Sequence, residues 1–216
     1  MASKKGPLTS DDYIDAAVKF VDERGLSSMT MRALGDEMGV DATALYRHFP
    51  NKESLIDAMI DWMLGEALAL SEANNNHGPR ERIVHQAKAL RKTFERYPDI
   101  GLALMYSEGA SINGYLYSKR GVDSLIEMGL SGEDLVRGYQ CIESYIMGSC
   151  VHDFAGSPHN MDIRRTRYRH FEIPDFDNYS RTSSTVRKIT EEGFDLGLNA
   201  ILDVLEKSTT SKTRKL

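Results

Sequence analysis

The spacing of the apolar residues is the feature that most limits the fold of this chain. Apolar positions recur three and four residues apart, and no sustained alternation of apolar and polar residues is present. The first pattern puts apolar side chains on one face of an α-helix, whereas alternation would indicate a β-strand. The sequence therefore predicts an all-α protein, and it contains no evident internal repeat.

Prolines and capping residues set the ends of the predicted helices. Proline is tolerated at a helix end and disrupts a helix interior. All six prolines stand in or beside polar, turn-like stretches, at Pro7, Pro50, Pro79, Pro98, Pro158 and Pro174. The predicted helices are Asp11–Arg24, Met31–Met38, Ala42–Phe49, Lys52–Ala73, Arg80–Tyr97, Ile100–Glu108, Gly114–Met128, Gly132–Phe154 and Ser184–Lys207.

Two segments near the C-terminus lack this pattern. The segment Ala155–Thr182 is rich in Arg, His and Asp and shows no clear periodicity. We expect a long mobile loop there, with room for a short helix. Residues 208–216 are expected to form a flexible basic tail.

Composition and length place the chain among ordinary soluble globular proteins. It has 216 residues, 41% of them hydrophobic and 27% charged, so that one or two domains are possible. No apolar run approaches the ~18 residues of a membrane span, and Lys4 and Lys5 precede no apolar segment of a secretory signal. We therefore expect a cytoplasmic protein with no membrane partner. Cys141 and Cys150 lie nine positions apart in one predicted helix, ~13 Å by its rise, and are expected to stay reduced.

The net charge of −5 argues against indiscriminate binding to nucleic acid. It does not exclude a local DNA-binding surface. Residues 1–52 contain seven Lys or Arg and eight Asp or Glu. Any affinity of this region for DNA must therefore come from cations gathered on one face.

The segment Met31–Phe49 has the pattern of a helix-turn-helix. Two short predicted helices meet at Gly39, and their apolar residues are spaced to pack the pair against the first helix. In this motif the second helix enters the major groove of DNA. Thr43 and Arg47 lie four residues apart on its outward face. Arg47 is suited to fork onto guanine, and the methyl group of Thr43 to contact thymine.

The same region resembles the DNA-binding signature of TetR-type regulators. The resemblance covers about Tyr13–Met59 and is carried by Thr30-Met31-Arg32-Ala33-Leu34, Gly39-Val40, Leu45-Tyr46-Arg47-His48-Phe49, Asn51-Lys52 and Glu53-Ser54-Leu55. It implies phosphate contacts at Thr30, Arg32, Tyr46, His48 and Lys52, and base contacts at Ala42, Thr43 and Arg47. Hydroxyl, imidazole and ammonium groups near helix N-termini are suitable phosphate partners.

Two positions depart from the family pattern. Gly35 stands where these regulators commonly have alanine, which is expected to loosen the second helix by up to ~1 kcal/mol. Asp41 stands where a hydroxyl side chain is more usual, and it is expected to cap the recognition helix.

The resemblance implies two domains and a regulatory function. Residues 1–55 are expected to form the DNA-binding domain, residues 56–207 a helical effector-binding and dimerisation domain, and residues 208–216 the tail. About 160 residues beyond the DNA-binding unit are more than dimerisation needs. We therefore expect a homodimeric repressor that binds an inverted-repeat operator and is released by an uncharged or weakly polar organic effector. The alternative is a DNA-binding regulator without an effector, such as an activator or a nucleoid-associated protein.

The last predicted helix is similar to the dimerising helix of the tetracycline-repressor branch, from Phe194-Asp195-Leu196-Gly197-Leu198 to Leu202-Asp203-Val204-Leu205. With Gly132–Phe154 it is expected to form a four-helix bundle between two chains. The proposed contact stripe is Val186, Ile189, Gly193, Gly197, Ala200, Ile201 and Val204. Close approach of the chains at the glycines would make Gly197→Glu dissociate the pair.

Aromatic, methionine and histidine side chains of the second domain are candidates for an effector cavity, because such cavities are mostly apolar with few polar anchors. The candidates are Trp62, Met63, His85, Met105, Tyr106, Tyr145 and His152. Among them His85, Tyr145 and His152 are the candidate anchors. Packing in the core is the simpler interpretation for most of the others.

Metal binding and catalysis find little support. The six histidines include no pair three or four residues apart, as a helical metal pair would need. Ser111 does not lie in a G-x-S-x-G nucleophile elbow. His152 and Asp153 are sequence neighbours, which point apart on a helix. We predict no catalytic residue, metal or cofactor, and we interpret Arg164, Arg165, Arg167 and Arg169 as a solvated loop or, less simply, an anion-binding group.

Overall fold

A computed structural model describes residues 7–72, 77–109, 111–155, 159–179 and 181–213. All regular secondary structure in these ranges is helical, which confirms the predicted all-α fold. The α-helices are α1 (Ser10–Arg24), α2 (Met31–Met38), α3 (Ala42–Tyr46), α4 (Lys52–Glu72), α5 (Pro79–Arg96), α6 (Pro98–Leu104), α7 (Ile112–Glu127), α8 (Gly132–Phe154), α9 (His159–Arg169), α10 (Pro174–Tyr179) and α11 (Ser183–Thr213). A short 3₁₀ helix, Leu26–Ser28, joins α1 to α2.

Local hydrogen bonds define the three N-terminal helices. Thr9 forms a capping box with Asp12 at the start of α1. The Thr30 hydroxyl accepts the Ala33 N–H at 3.0 Å at the start of α2. Asp41 accepts the Thr43 N–H at 2.8 Å at the start of α3, as expected from the sequence. Gly39 ends α2 with φ = 68°, a left-handed conformation that glycine adopts at little cost. The predicted helix-turn-helix is confirmed, although α3 ends at Tyr46 rather than at Phe49.

Helix α4 connects this N-terminal unit to the rest of the molecule. It packs on α1 near its start and on α5, α6 and α7 further along. Leu55, Met59 and Met63 are fully buried along its length. The predicted boundary between residues 55 and 56 lies inside this continuous helix, so the division into two domains stays a prediction.

The segment 155–182 differs from the loop expected there. Its described part contains α9 and α10. Arg164 of α9 is buried and donates to Asp153 of α8 at 2.6 Å and to the Thr190 hydroxyl of α11 at 2.7 Å. The interpretation of Arg164 as part of a solvated loop was therefore wrong. A search for apolar periodicity misses such a helix, because an ion pair holds it in place.

The C-terminal end of the chain also differs from the expectation. Helix α11 was predicted to end at Lys207, but it continues to Thr213. The described part of the predicted tail is thus helical. No helix within the described ranges combines the length and apolar character needed to cross a membrane.

A buried ion-pair cluster joins four helices of the C-terminal region. Arg91 of α5 is 2% exposed and donates to Asp153 at 2.8 Å and to Glu191 of α11 at 2.7 Å. Its guanidinium also lies 4.2 Å from the ring centre of Phe194. Burial alone would raise the pKa of Asp153, but hydrogen bonds from Arg164 and Arg91 hold that pKa below its ordinary value. Asp153 is therefore charged in the folded protein at neutral pH.

Candidate DNA-binding surface and effector cavity

Helix α3 presents polar side chains to solvent above a buried apolar base. Leu45 is fully buried. Thr43 and Arg47 are exposed, Tyr46 is 51% exposed and Ala42 is half-buried. Arg47 makes no hydrogen bond or ion pair with any described residue. Its guanidinium is free to meet a base edge or a phosphate.

The remaining residues predicted to touch phosphates lie at the ends of neighbouring helices. Thr30 caps α2, and Arg32 is exposed in the first turn of that helix. His48 Nδ1 is 3.0 Å from the hydroxyl of Ser10. Lys52 is half-buried at the start of α4, and its Nζ lies 3.4 Å from the carbonyl of Leu26. His48 and Lys52 therefore also tie the end of α3 and the start of α4 to the rest of the N-terminal unit.

Gly35 lets α2 and the turn before α3 approach closely. A Cβ atom at Gly35 would lie 2.9 Å from the carbonyl oxygen of Val40 and 3.4 Å from the amide nitrogen of Ala42. The Val40 N–H donates to the Gly35 carbonyl at 2.9 Å. Glycine here has a packing role that the comparison with the family pattern did not suggest.

The C-terminal region contains a cavity of about 700 Å³, partly open to solvent, between α4, α5, α6, α7 and α8. This volume is suited to a drug-sized organic molecule. Its apolar wall includes Ile60, Leu64, Ile83, Leu90, Leu104, Met105, Leu125, Ile142, Ile146 and Met147. Its polar wall includes Gln86, Ser107, Ser111, Tyr115, Tyr117, Ser118, Tyr139, Glu143 and Ser144.

Met105 alone among the seven predicted effector-binding residues lines this cavity. Met63 is fully buried in the core. Trp62 packs edge-on against Tyr97 with ring centres 5.1 Å apart. His85 packs edge-on against a second histidine, with ring centres 4.5 Å apart.

The other three candidates also lie away from the cavity. Tyr106 is 85% exposed. Tyr145 stacks on Phe194 and donates to the Phe194 carbonyl at 3.0 Å. His152 is exposed, and its Nδ1 lies 3.1 Å from Asp153 Oδ1, so the expectation that these two side chains point apart was wrong. Residue type alone therefore pointed to side chains that either pack within the protein or lie on its surface.

Sequence reasoning missed a polar pair in the cavity wall. Gln86 Nε2 donates to the carbonyl of Tyr117, and the Tyr117 hydroxyl donates to the carbonyl of Gln86 at 3.1 Å. Burial raises the pKa of Tyr117 well above its ordinary value, so this phenol stays protonated. One sequence signal was available, because Gln86 interrupts an apolar helix face formed by Ile83, Ala87 and Leu90.

Two carboxylates of α4 hold the connection between α6 and α7 over the cavity. Asp57 accepts from the Ser107 hydroxyl at 2.6 Å. Asp61 accepts from the Ser111 hydroxyl at 2.6 Å, and from the backbone and side-chain N–H groups of Asn113 at 2.8 and 2.9 Å. The two serines line the cavity. The wall of the cavity is thus joined to α4 by hydrogen bonds to charged groups.

Apolar side chains are exposed on α8 and α11. Val136 on α8 is 66% exposed, while Leu196 and Val204 on α11 are 74% and 66% exposed. Gly197 has a different neighbour from the one expected. Its Cβ position would lie 2.1 Å from the hydroxyl of Tyr145 in the same chain. The close approach at Gly197 is therefore internal, and Gly197→Glu would disturb the packing of α8 on α11 within one chain.

No group of three or more His, Cys, Asp or Glu side chains in the described ranges is placed to hold a metal ion.

Two family models match most of the chain. The model for bacterial regulatory proteins of the tetR family matches residues 14–59, which contain α2 and α3. The model for the tetracyclin repressor-like C-terminal domain matches residues 71–209, more than half of the chain. The chain belongs to the TetR family. This TetR membership confirms the family resemblance found in the sequence.

TetR-family relatives match in part of their length. The HTH-type transcriptional repressor Rv1353c of Mycobacterium tuberculosis (strain ATCC 25618 / H37Rv) is 25% identical over 154 residues, which cover 69% of this chain and 59% of that protein. The tetracycline repressor protein class A from transposon 1721 of Escherichia coli is 28% identical over 149 residues, covering 69% of this chain and 68% of that protein. The match to the first relative spans less than two thirds of its length.

Solved structures share the TetR fold along nearly the whole chain. A possible TetR family transcriptional regulator from Streptomyces coelicolor A3(2) has a TM-score of 0.76 and 23% identity, covering 93% of this chain and all of its own. ActR of Streptomyces coelicolor in complex with actinorhodin has a TM-score of 0.73 and 20% identity, covering 94% of this chain and 99% of its own.

Proposed function

We propose that this chain is a cytoplasmic, homodimeric transcriptional repressor that leaves its operator when a small organic effector enters the cavity. The observation that carries the proposal is the course of α4. This single helix begins at Lys52, six residues after the end of α3, and contributes Ile60 and Leu64 to the cavity wall. One rigid element thus links a surface suited to DNA with a site suited to a ligand. The name of the repressor relative Rv1353c supports the DNA-binding part of the proposal, and the ActR complex with actinorhodin supports the ligand-binding part.

On DNA, α3 would lie in the major groove. The exposed Arg47 would fork onto guanine, the Thr43 methyl group would contact thymine, and Ala42 would pack against a base edge. Tyr46 and Lys52 would contact phosphates. The Thr30 hydroxyl accepts the capping hydrogen bond and keeps its own proton for a phosphate oxygen.

The dimer would form through α8 and α11. Single exposed apolar residues are common on protein surfaces, but Leu196 and Val204 recur on α11 two helical turns apart, with the small residue Ala200 exposed midway between them. Together with Val136 of α8 they provide apolar area that a second copy could cover. The two recognition helices would then meet half-sites about one DNA turn apart, ~34 to 36 Å, or a small multiple of it.

The effector would act on DNA binding through α4. Asp57 and Asp61 attach that helix to the cavity wall, so a ligand that displaces the connection between α6 and α7 would also displace α4. An effector can change operator affinity only by its differential binding to the two states, and ~1 to 3 kcal/mol is the usual coupling.

Selection of bound duplexes from a randomised DNA library tests the proposal with the full chain. We expect enrichment of inverted repeats whose half-sites are one turn or a small multiple apart. A compound screen on the selected duplex should then yield ligands that bind the protein and lower its affinity for DNA. Failure to enrich an inverted repeat would refute the operator model. Tight cavity ligands that all leave DNA affinity unchanged would favour the regulator without an effector.

A further inference from the structure

The cavity wall carries negative charge without a matching positive one. Glu143 is the single charged side chain among the described residues that line it. Tyr139, also in the wall, donates its phenol proton to Glu143 at 3.0 Å. Because burial raises the pKa of Tyr139, this proton stays in place.

Three further hydroxyl groups of the wall direct their protons into the protein. Ser107 donates to Asp57, Ser111 to Asp61 and Tyr117 to the Gln86 carbonyl. A hydroxyl has one proton and two acceptor lone pairs. These three groups can therefore only accept hydrogen bonds from a ligand.

Gln86 adds a further acceptor to the wall. Its Nε2 must face the Tyr117 carbonyl, because a carbonyl oxygen can only accept a hydrogen bond. This fixes the amide orientation. Gln86 is 4% exposed, and its Oε1 has no hydrogen-bond partner among the described residues. The dipole of this buried amide thus contributes uncompensated negative potential beside the cavity.

We infer that the effector is a lipophilic organic cation with its charge near Glu143 and its apolar groups against the aliphatic wall. The rings of Tyr115 and Tyr139 favour a cation over an anion for the same electrostatic reason. This inference rests on the proposed effector function and names its ligand class. It departs from the uncharged or weakly polar molecule expected from the sequence, which took no account of Glu143 as a wall residue.

Two rigid probe ions of the same shape and opposite charge test the inference. Tetraphenylphosphonium and tetraphenylborate both carry four phenyl groups, so that charge is their main difference. Calorimetric titration of the full chain should show tetraphenylphosphonium binding at least about 10-fold more tightly. Glu143→Gln keeps the size of the side chain and its ability to accept from Tyr139. It should reduce the preference for the cation about 5- to 10-fold, the lower value applying if solvent screens the charge.

Glu133→Gln on the same helix α8 is the matched control, because Glu133 and Glu143 are both exposed but only Glu143 lines the cavity. It changes the net charge equally and should leave both affinities unchanged. Three results would overturn the inference: equal affinity for the two ions, a preference that Glu143→Gln leaves undiminished, or no saturable binding of the phosphonium.

Operator binding by the same preparation separates this inference from the proposed function. If the chain selects an inverted repeat and anionic or neutral ligands release it, the repressor stands and the cation assignment fails. If no inverted repeat is selected, the repressor fails, while the two probe affinities still report the charge preference of the cavity.

Discussion

Replacing Gly35 with alanine has two opposing effects on the stability of the helix-turn-helix: alanine has the higher helix propensity, but its Cβ atom disturbs a close packing contact. The new Cβ atom would lie 2.9 Å from the carbonyl oxygen of Val40 and 3.4 Å from the amide nitrogen of Ala42. Both atoms belong to the backbone and cannot rotate away as a flexible side chain can. The turn before α3 must therefore shift by roughly 0.5 Å to restore an ordinary contact.

The two effects have opposite signs and comparable sizes. Alanine in a helix interior is favoured over glycine by ~1 kcal/mol. Forcing an extra carbon into a packed contact costs ~1 to 3 kcal/mol. We expect the packing cost to win, so that Gly35→Ala lowers the free energy of unfolding by up to about 2 kcal/mol. The displaced α3 should also bind the selected operator more weakly.

Urea unfolding at one fixed protein concentration measures the first effect, because the stability of the proposed dimer would depend on protein concentration. Gly121→Ala in α7 is the matched control. A Cβ atom there has its nearest neighbour at 3.9 Å, an ordinary contact, so this variant should gain about 1 kcal/mol from helix propensity alone. If Gly35→Ala gains as much as Gly121→Ala, the close approach to Val40 costs nothing and the reasoning fails.

The other predictions concern DNA reading, assembly, coupling and pH. Arg47→Ala should cost ~1 to 3 kcal/mol per half-site and relax the preference at one base pair, whereas Lys52→Ala should weaken operator and scrambled duplexes alike and reduce the salt slope by about one per contact; titrations in which the two variants exchange these effects would reverse the assigned roles. Leu196→Glu should give a folded monomer by light scattering and circular dichroism, since it puts a charge on the exposed α11 face without touching Tyr145, and a stable dimer would exclude that face. The Asp61→Ala variant should still bind tetraphenylphosphonium, but the ligand should lower its affinity for operator DNA less than it lowers that of the unaltered protein. An equal drop in affinity would show that the Asp61 contacts do not couple the cavity to DNA binding. Asp153 has a folded-state pKa below its ordinary value of 3.8, so its ion pairs stabilise the protein above pH 3.8, and this contribution is lost as the pH falls through the lowered pKa. Asp153→Asn should therefore lower the free energy of unfolding by ~3 kcal/mol at pH 7 and by progressively less in acid. Unfolding experiments at a series of pH values measure this difference.

The helix-turn-helix could be predicted from the sequence because its determinants are local. Thr9, Thr30 and Asp41 each cap a helix through a hydrogen bond to a residue two or three positions ahead. Gly39 ends α2 through its own backbone conformation. Such interactions depend on residue type and short spacing, which the sequence contains in full.

The cavity and its surroundings depended on contacts that the sequence does not place. Gln86 and Tyr117 are 31 residues apart and meet only because α5 packs on α7. The sequence marked Tyr145 as a candidate ligand group, but its hydroxyl reaches α11 beside Gly197 instead.

The same distinction explains α9. From the sequence alone, Arg164 is expected to be solvated, because burying an unpaired guanidinium costs much desolvation free energy. Its burial becomes favourable only when the fold brings Asp153 to 2.6 Å. The chemistry of a residue limits which partners its side chain can bind, and the tertiary fold determines which of those partners lies within contact distance.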